Sequence, residues 1–448
     1  MALIAMTAAA LALAEASWVS RLDNQTVHSV NALWRLDALA APFVLNLVLI
    51  SLGALAYAWG YWEHSERPHL CYALTLAFVG SMLGTLLSNR VLAFFVFWET
   101  MLVTSALLIA GWGDGPRIRT VVYKYVLFTQ AGSLLLLAAL TWLSAQGGGG
   151  SIARLTDGLG YLSPVAWRGA AILLFLGFGV KMAVVPLHLW LPDAHSVAPM
   201  PVTILLAGAM LSMGAYGMFR FPLALLPHTE VARLQLPLLL IALASQIYGA
   251  LMCFAERDIK RIVAYSSVSQ MGYLLFAMAT LTPQGLTGAL MHVVSHGLLK
   301  ALLFIGVGLV MWATGRRSLG ELGGLMGRLP IILALLLVGA IGLAGVPPLC
   351  AFYSEWFILS GGLASAYPLL GLLACGAPLL TAGYALWLVA RLAFGAAPGG
   401  LTKRAVPRMM VWSGYLMGGL ALAEGLFPSA LFRLGQQAAM LLIPGGVW

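Results

Sequence analysis

The chain has 448 residues, of which 61% are hydrophobic and only 9% are charged, and its formal net charge is +9. A soluble domain typically contains about 45–50% apolar and about 25% charged residues. A soluble fold of this length could not bury so much apolar surface, so the composition excludes a soluble enzyme, a nucleic-acid-binding protein and a disordered scaffold. What remains is a polytopic membrane protein, for which lipid is the solvent.

Apolar runs of about 20 residues predict roughly 13 transmembrane helices, so the expected fold class is an all-α polytopic membrane protein. The first run lacks the basic start of a cleaved signal peptide, and we interpret it as a transmembrane helix. The apolar tail 429–448 is expected at the membrane interface or against a partner. The predicted spans are 2–20, 39–61, 70–88, 91–111, 121–144, 169–190, 200–222, 235–255, 261–281, 285–313, 330–358, 366–394 and 409–428.

Lysine and arginine are distributed unevenly between alternate loops. The loops after even-numbered spans contain 14 of these residues, whereas the odd loops and the tail contain 8. Basic residues accumulate on the cytoplasmic side of membrane proteins, so this bias predicts a cytoplasmic N-terminus and an external C-terminus. The net positive charge therefore reflects topology, and no nucleic acid is expected as a partner. We expect a location in the cytoplasmic (inner) membrane of a bacterium or archaeon.

The longest irregular stretch covers residues 145–168 and contains four successive glycines at 147–150. A phosphate-binding loop follows a strand and opens a helix, and we expect no strands in this chain. The stretch is therefore predicted to be a flexible external loop. The four cysteines have no C-x-x-C spacing and are interpreted as reduced thiols.

Four charged residues lie deep in the predicted spans: Glu99, Lys181, Lys300 and Glu355. A charge at mid-bilayer costs roughly 2.5–3.5 kcal/mol on insertion scales. A single such residue could be a buried, paired charge that only fixes helix packing. Acids and lysines spread over four spans favour a proton path, because the pKa of each group in low dielectric depends on the charge of its partner. We expect the protonation of Glu99 to depend on the charge of Lys181, and that of Lys181 on the charge of Glu99.

Prolines interrupt two of the predicted spans. Pro186 follows Lys181 by five residues, and Pro347 and Pro348 precede Glu355. Proline removes a backbone donor and clashes with the preceding turn, so both spans are expected to be broken. The two spans are five helices apart, and an odd number of helices inverts topology between copies. We therefore predict two inverted five-helix repeats, each with one broken helix, as in transporters whose sites lie at such breaks.

The chain is interpreted as a single transmembrane domain without an internal boundary. Its predicted parts are N-terminal helices (1–69), a first repeat (70–222), a second repeat (235–394), and a C-terminal helix with its tail (395–448). Prolines are also tolerated in membrane helices, so their matching positions could be coincidental.

His292 and His296 are four residues apart and share a helix face with Lys300. Imidazole titrates near neutral pH, so this stripe is interpreted as a proton relay. A metal site is not expected, because no Glu or Cys accompanies the histidines at a useful spacing. Glu424, near the external end of the last span, is expected at the membrane interface. Three polar residues beyond the first break could pair the freed backbone or form a polar mouth: His188, Asp193 and His195.

Several long motifs resemble the antiporter-like subunits of respiratory complex I. The main motif is Val-Lys-Met-Ala-Val-Val-Pro-Leu-His-Leu-Trp-Leu-Pro-Asp-Ala-His-Ser-Val-Ala-Pro at 180–199, and the supporting motifs lie at 97–99, 257–272, 295–304 and 347–356. The same family includes membrane subunits of group 4 energy-converting hydrogenases and of multi-subunit sodium/proton antiporters. The resemblance covers about residues 36 to 395. It implies a helical membrane fold with two inverted five-helix repeats.

By this resemblance, Glu99 matches the family's helix glutamate and Lys181 its partner lysine. Lys300 and the nearby histidines match the central relay, and Glu355 matches the terminal residue that exchanges protons with the outside. Ser212 departs from the pattern, because the family commonly has a lysine there that bridges the two halves. A serine can hold a water but not a charge, so the resemblance does not imply a complete lysine chain. The N-terminal part is also shorter than usual by one helix.

The resemblance implies a proton-translocating membrane subunit of a redox-driven complex, similar to complex I or to a group 4 hydrogenase. The sequence has no haem motif, iron–sulfur spacing or nucleotide loop, so no cofactor is expected in this chain. A redox reaction would then take place in a peripheral arm held by other membrane subunits. Three alternatives stay open: a secondary sodium/proton antiporter subunit, a proton-conducting subunit that energises inorganic-carbon uptake by a soluble partner, and a scaffold whose channel is interrupted at Ser212.

Overall fold

A computed structural model describes residues 28–29, 33–63, 65–147, 150–155, 162–395 and 404–442. This part of the chain is almost entirely helical. Its main elements, in chain order, are β1 (His28–Ser29), β2 (Arg35–Leu36), α1 (Ala41–Trp62), α2 (Pro68–Leu87), α3 (Val91–Trp112), α4 (Ile118–Gln146), α5 (Pro164–Met182), α6 (Leu191–Val197), α7 (Met200–Leu223), α8 (His228–Ala255), α9 (Ile259–Ala279), α10 (Pro283–Thr314), α11 (Pro330–Leu343), α12 (Ala351–Leu363), α13 (Pro368–Ala393), α14 (Arg408–Leu426) and α15 (Ser429–Met440).

Ten of the described helices are long and apolar enough to cross a membrane, and α14 with α15 forms an eleventh candidate that is bent by 75°. Two of the roughly 13 predicted spans are missing from this count, for different reasons. The predicted span 2–20 lies outside the described residues. The predicted span 330–358 is divided into α11 and α12, each of which is too short to cross alone. The chain is therefore a multi-span membrane protein, as predicted.

Both spans that contain the prolines are broken. Helix α5 ends at Met182, and the following Ala183 has a left-handed backbone with φ of +57°. Helices α11 and α12 are separated by a segment with Pro347 and Pro348. The bonds preceding Pro186 and Pro348 are cis. The prediction of one broken helix in each half is confirmed.

Side chains satisfy backbone groups that the first break leaves without helical partners. Trp190 Nε1 donates to the Val180 carbonyl at 2.8 Å, and the Val185 N–H donates to Ser245 Oγ at 3.0 Å. A buried backbone group left unpaired would cost roughly 1–3 kcal/mol. These two hydrogen bonds therefore make the break tolerable inside the bilayer.

Helix neighbours correspond between the two halves of the chain. In the first half, α2 packs on α3, α3 on α4, α4 on α5 and α5 on α7. In the second half, α8 packs on α9, α9 on α10, α10 on α11 and α11 on α13. The second part of each broken helix also packs on the equivalent long helix, α6 on α4 and α12 on α10. This correspondence is what two five-helix repeats require, while the boundaries 70–222 and 235–394 stay predictions.

Loops of the same parity meet at the same end of the bundle. At one end, Asp193 pairs with Lys124 and with Arg261, each at 2.7 Å. At the other end, Arg168 pairs with Glu230 at 3.4 Å. The basic loops after even-numbered spans therefore lie together, as the alternation of spans requires.

The loop regions differ from the sequence prediction in two respects. We expected no strands, but β1 and β2 form a two-stranded antiparallel ribbon before α1. Strands of two residues are too short to produce an alternating pattern in the sequence. The stretch predicted as an irregular loop at 145–168 is also shorter, because α4 extends to Gln146 and α5 begins at Pro164. The glycines at 148 and 149 lie outside the described residues.

A buried ion pair joins α7 to the segment before α1. The Arg220 guanidinium donates to the two carboxylate oxygens of Asp37 at 2.6 and 2.7 Å, and Arg35 lies 3.0 Å from the same carboxylate. Arg220 is buried in the last turns of α7. Burial alone would raise the pKa of Asp37, but the charge and hydrogen bonds of Arg220, together with Arg35, lower this pKa from 3.8 to about 2.

Arg220→Met should lower the free energy of unfolding by about 3–5 kcal/mol, because it leaves Asp37 buried without its main partner. In the wild type, the contribution of the pair should be complete above about pH 3.8 and should disappear as pH falls through about 2, since the pKa of Asp37 is lower in the folded state. Thermal unfolding in detergent over this pH range measures both effects. Arg433→Met, which removes an exposed arginine on α15, is the control. Equal stability of the two variants would contradict this role for the ion pair.

Candidate functional site

All six residues predicted to form the proton path lie in described helices. Glu99 is on α3 and half-buried. The other five are buried, with exposed fractions of 4% or less: Lys181 on α5, His292, His296 and Lys300 on α10, and Glu355 on α12. A buried ionisable group is costly unless it has a partner, so the contacts of each group indicate what it can do.

Lys181 lies in the last turn of α5, directly before the break. A cation is favourable there, because a helix C-terminus presents unpaired carbonyls and partial negative charge. The Nζ atom lies 5.4 Å from the centroid of the Trp98 ring, within the range of a cation–π contact. Glu99 follows Trp98 on α3, and its Oε1 is buried without a hydrogen-bond partner among the described residues. The structure therefore brings the predicted pair to one interface, with the indole as the lysine's direct contact.

His292 connects three helices. Its Nε2 lies 3.0 Å from Gln270 Oε1 on α9, and its Nδ1 lies 3.0 Å from Ser354 Oγ on α12. With Gln270 Oε1 as acceptor, Nε2 carries the proton, and Nδ1 can accept from the Ser354 hydroxyl when that hydroxyl turns away from the Ala351 carbonyl, 2.9 Å away. Since Ser354 directly precedes Glu355, His292 is linked to the part of α12 that carries the terminal acid.

His296 and Lys300 continue the same face of α10. The ring centroids of His292 and His296 are 5.9 Å apart, and His296 Nε2 is buried without a hydrogen-bond partner. Lys300 Nζ donates to Ser266 Oγ and lies 3.5 Å from the Val263 carbonyl, both on α9. The stripe is brought together as predicted, and its lysine is held by neutral oxygen atoms. Its role as a relay stays a prediction.

Glu355 faces the segment between α11 and α12. Its Oε1 is buried without a hydrogen-bond partner. Gly345 in that segment has φ of +69°, and a Cβ added to it would overlap Glu355 Oε2. Glycine is therefore required at 345 for two reasons, the left-handed backbone and the close approach of the carboxylate.

The three polar residues beyond the first break have different surroundings. Asp193 forms the ion pairs with Lys124 and Arg261 described above. This contact corresponds to the alternative in which the residue forms part of a polar mouth. His188 packs its ring against Tyr248, with centroids 4.9 Å apart. His195 is fully buried, and neither of its ring nitrogens has a hydrogen-bond partner.

Ser212 lies where the two halves of the bundle meet. Asn46 of α1 donates through Nδ2 to the Gly208 carbonyl at 2.9 Å and to Ser212 Oγ at 3.3 Å, both on α7. Its Oδ1 is buried without a partner and lies where a Cβ added to Gly297 of α10 would be. Gly297 follows His296. Asn46 and Ser212 therefore form a neutral polar junction at the position where the resemblance would place a bridging lysine.

Several polar residues of the site were not identified from the sequence. Ser266 and Gln270 are four residues apart on α9 and so share one face of the helix. This spacing is the sequence pattern that could have identified them. Glu424 was expected at the interface, but its Oε1 accepts a hydrogen bond from Ser295 of α10 at 2.8 Å and its Oε2 is buried. The sequence did not indicate this partner, because Ser295 lies 129 residues away in the chain.

The arrangement supplies acids, imidazoles and lysines that are separated by hydroxyl and amide groups, which is suited to proton exchange. Among the described residues, no group of three or more His, Cys, Asp and Glu could hold a metal ion.

Comparison with known families identifies a match over two thirds of the chain. A family model described as "NADH:quinone oxidoreductase/Mrp antiporter, TM" matches residues 88–381. The matched region contains all six predicted path residues. It begins at the end of α2 and ends within α13, so it includes both broken helices.

Curated relatives have related names. NAD(P)H-quinone oxidoreductase chain 4 3 of Picosynechococcus sp. is 37% identical over 336 residues, which cover 74% of this chain and 59% of that protein. F(420)H(2) dehydrogenase subunit M of Methanosarcina mazei is 31% identical over 427 residues, covering 93% of this chain and 84% of that subunit. The chain thus spans only about 60% of the length of the first cyanobacterial relatives.

Solved structures share the fold over nearly the whole chain. A chain of respiratory complex I from Thermus thermophilus superposes with a TM-score of 0.85 at 26% identity, over 99% of this chain and 96% of that chain. A chain of the Mrp complex from Dietzia sp. DQ12-45-1b gives a TM-score of 0.90 at 23% identity, over 99% and 92%. At this lower identity, the second likeness shows the fold alone.

Gly345→Ala should reduce proton flux strongly, because the new methyl group displaces the Glu355 carboxylate in addition to the cost of the left-handed backbone. Gly315→Ala is a matched control, since Gly315 also has φ of +69° but has open space around its Cβ position. Each variant should lose about 1–2 kcal/mol of stability from the backbone term. Only Gly345→Ala should also lose flux in proteoliposomes. Equal flux in the two variants would show that the approach to Glu355 is unimportant.

Proposed function

The chain belongs to the NADH:quinone oxidoreductase/Mrp antiporter transmembrane family, and we propose that it is a proton-translocating membrane subunit of a redox-driven complex. The observation that carries the proposal is the set of buried acids, imidazoles and lysines at and between two broken helices. Such groups are too costly in a bilayer to be retained for packing alone. The names of the quinone oxidoreductase and F(420)H(2) dehydrogenase relatives support a redox-driven partner.

The proposed path runs from Lys181 or the stripe of His292, His296 and Lys300 to Glu355. Protons enter from the cytoplasm and leave to the outside through Glu355. Moving one charge against 100 mV requires about 2.3 kcal/mol, which the partner's redox reaction must supply. Lys181 and Lys300 are suited to this because their contacts are an aromatic ring and neutral oxygens, which leave either protonation state accessible.

We propose that protons pass between the two halves of the bundle through the neutral junction of Asn46 and Ser212. A hydroxyl and an amide can hold water and pass a proton along hydrogen bonds without holding a fixed charge. This supports conduction in the absence of the bridging lysine. A scaffold with an interrupted channel would instead show no flux.

Orientation and location form part of the proposal. The end that contains Lys124, Asp193 and Arg261 is assigned to the cytoplasm, because the basic loops are gathered there. The N-terminus is then cytoplasmic and the C-terminus external, in the inner membrane of a bacterium or archaeon. We place redox cofactors in the partner subunits and none in this chain.

Lys181→Ala should abolish proton translocation and leave the fold intact, because it removes the cation beside Trp98 and Glu99 without removing a hydrogen bond that holds helices together. The measurement is proton uptake by proteoliposomes that contain the complex, with thermal unfolding as the test of folding. Arg328→Ala, which removes an exposed cation at the start of α11, is the control. Wild-type flux in Lys181→Ala would overturn the assigned path.

Mass spectrometry of the proteins that co-purify with the tagged, gently extracted chain tests the partner. Iron–sulfur, hydrogenase-like or quinone-reductase subunits are expected. If only small membrane subunits co-purify and the flux depends on sodium, the result would support a secondary antiporter. It would contradict translocation driven by a redox reaction. A lone soluble metalloenzyme would support energised inorganic-carbon uptake.

A further inference from the structure

Glu424, in the last turn of α14, is a second acid at the second broken helix, and it contacts α10. Its Oε1 accepts a hydrogen bond from the Ser295 hydroxyl at 2.8 Å, while its Oε2 is buried and has no hydrogen-bond partner among the described residues. The neighbouring Gly425 packs so closely on the Pro348 carbonyl that a Cβ there would overlap it. The carboxylate is therefore held at the break between α11 and α12.

Ser295 connects this acid to the histidine stripe. It lies three residues after His292 and therefore on the same side of α10, whereas His296, the next residue in the chain, points about 100° further around the helix. Its hydroxyl is also 3.2 Å from the Met291 carbonyl and 3.3 Å from the Cys350 carbonyl. The hydroxyl thus has alternative acceptors and can turn from one to another. His296, whose Nε2 is buried without a hydrogen-bond partner among the described residues, packs beside His292 with 5.9 Å between the ring centroids and can receive a proton from it.

No described lysine or arginine forms an ion pair with Glu424. Among the described residues, Ser295 donates the hydrogen bond to its carboxylate. Helix α14 packs on α1, α10, α11 and α12. The titratable side chains that these elements and the second break contribute are Tyr57 and Tyr61 on α1, His292, His296 and Lys300 on α10, Cys350 at the break, and Tyr353 and Glu355 on α12, while α11 contributes none. An acid without a counter-ion can exchange a proton with neighbouring imidazoles more readily than one in an ion pair.

We propose that Glu424 is a further proton-carrying residue of the path, connected to His292 and His296 through Ser295. The inference rests on the proposed function. In the transfer, an imidazolium loses one proton and the Glu424 carboxylate gains one, while Ser295 passes its hydroxyl proton to the carboxylate and accepts another in its place. No electron moves, and the serine ends neutral. The path then has two acids at the second break, Glu355 on α12 and Glu424 on α14.

Glu424→Gln is the decisive variant, because the amide oxygen can still accept from Ser295 but the side chain cannot carry a proton. In proteoliposomes containing the complete complex, we expect flux to fall at least about tenfold, since one titrating group is lost. Glu424→Asp keeps the acid and should recover part of the flux. Glu321→Gln removes an exposed carboxylate between α10 and α11 and should leave flux unchanged. A purely structural role would make Gln the milder change and Asp the more damaging one.

Infrared difference spectra between high and low pH give a second measurement. A carbonyl band of a protonated acid should disappear in Glu424→Gln and persist in Ser295→Ala, whereas flux should fall in both variants. Ser295→Ala therefore tests the proposed proton transfer between the histidines and Glu424 even if Glu424→Gln does not fold. Wild-type flux in either folded variant overturns the inference. Absence of flux in the wild-type complex overturns the proposed function itself, so the two failures are distinguishable.

Discussion

Inside a bilayer, each unpaired backbone N–H or C=O group costs several kcal/mol, and this chain nevertheless interrupts two of its spans. The interruptions are possible because nearby side chains supply hydrogen-bond partners, as Trp190 of the broken segment itself and Ser245 of α8 do at the first break. Such partners must be held rigidly, which explains why the breaks are enclosed by long, continuous helices. Helix α10, with 32 residues, is the longest of these and is buried over its hydrophobic window. The rest of the architecture follows from the need to cover these two breaks.

The same enclosure sets the electrostatic character of the site. At the charged end of the bundle, Asp193 has two cationic partners at 2.7 Å. Deeper in the bundle, Lys181 contacts an aromatic ring and Lys300 contacts neutral oxygens. Tight ion pairs stabilise one charge state, whereas neutral contacts leave the protonation state open to change. The distribution of partners thus separates residues that hold the fold from residues suited to exchanging protons.

Membership of the NADH:quinone oxidoreductase/Mrp antiporter family fits this separation. The chain departs from a continuous row of lysines at Ser212, where Asn46 and the serine hydroxyl form a neutral junction. Its C-terminal part contains a further acid, Glu424, at the second break. A neutral junction in the centre and an acid near the end fit the proposed path, in which hydroxyl, amide and imidazole groups carry protons between fixed charges.

The sequence by itself determined the class of fold, most of the spans and the two breaks. Composition and apolar run length depend only on the lipid solvent, and Pro186, Pro347 and Pro348 disrupt a helix wherever it packs. The tertiary structure decided what each polar residue faces. The partners of Arg220, Glu424 and Asn46 were not identified from the sequence, because Asp37, Ser295 and Ser212 each lie more than a hundred residues away. Burial and pairing over such separations arise from helix packing, which local pattern does not encode.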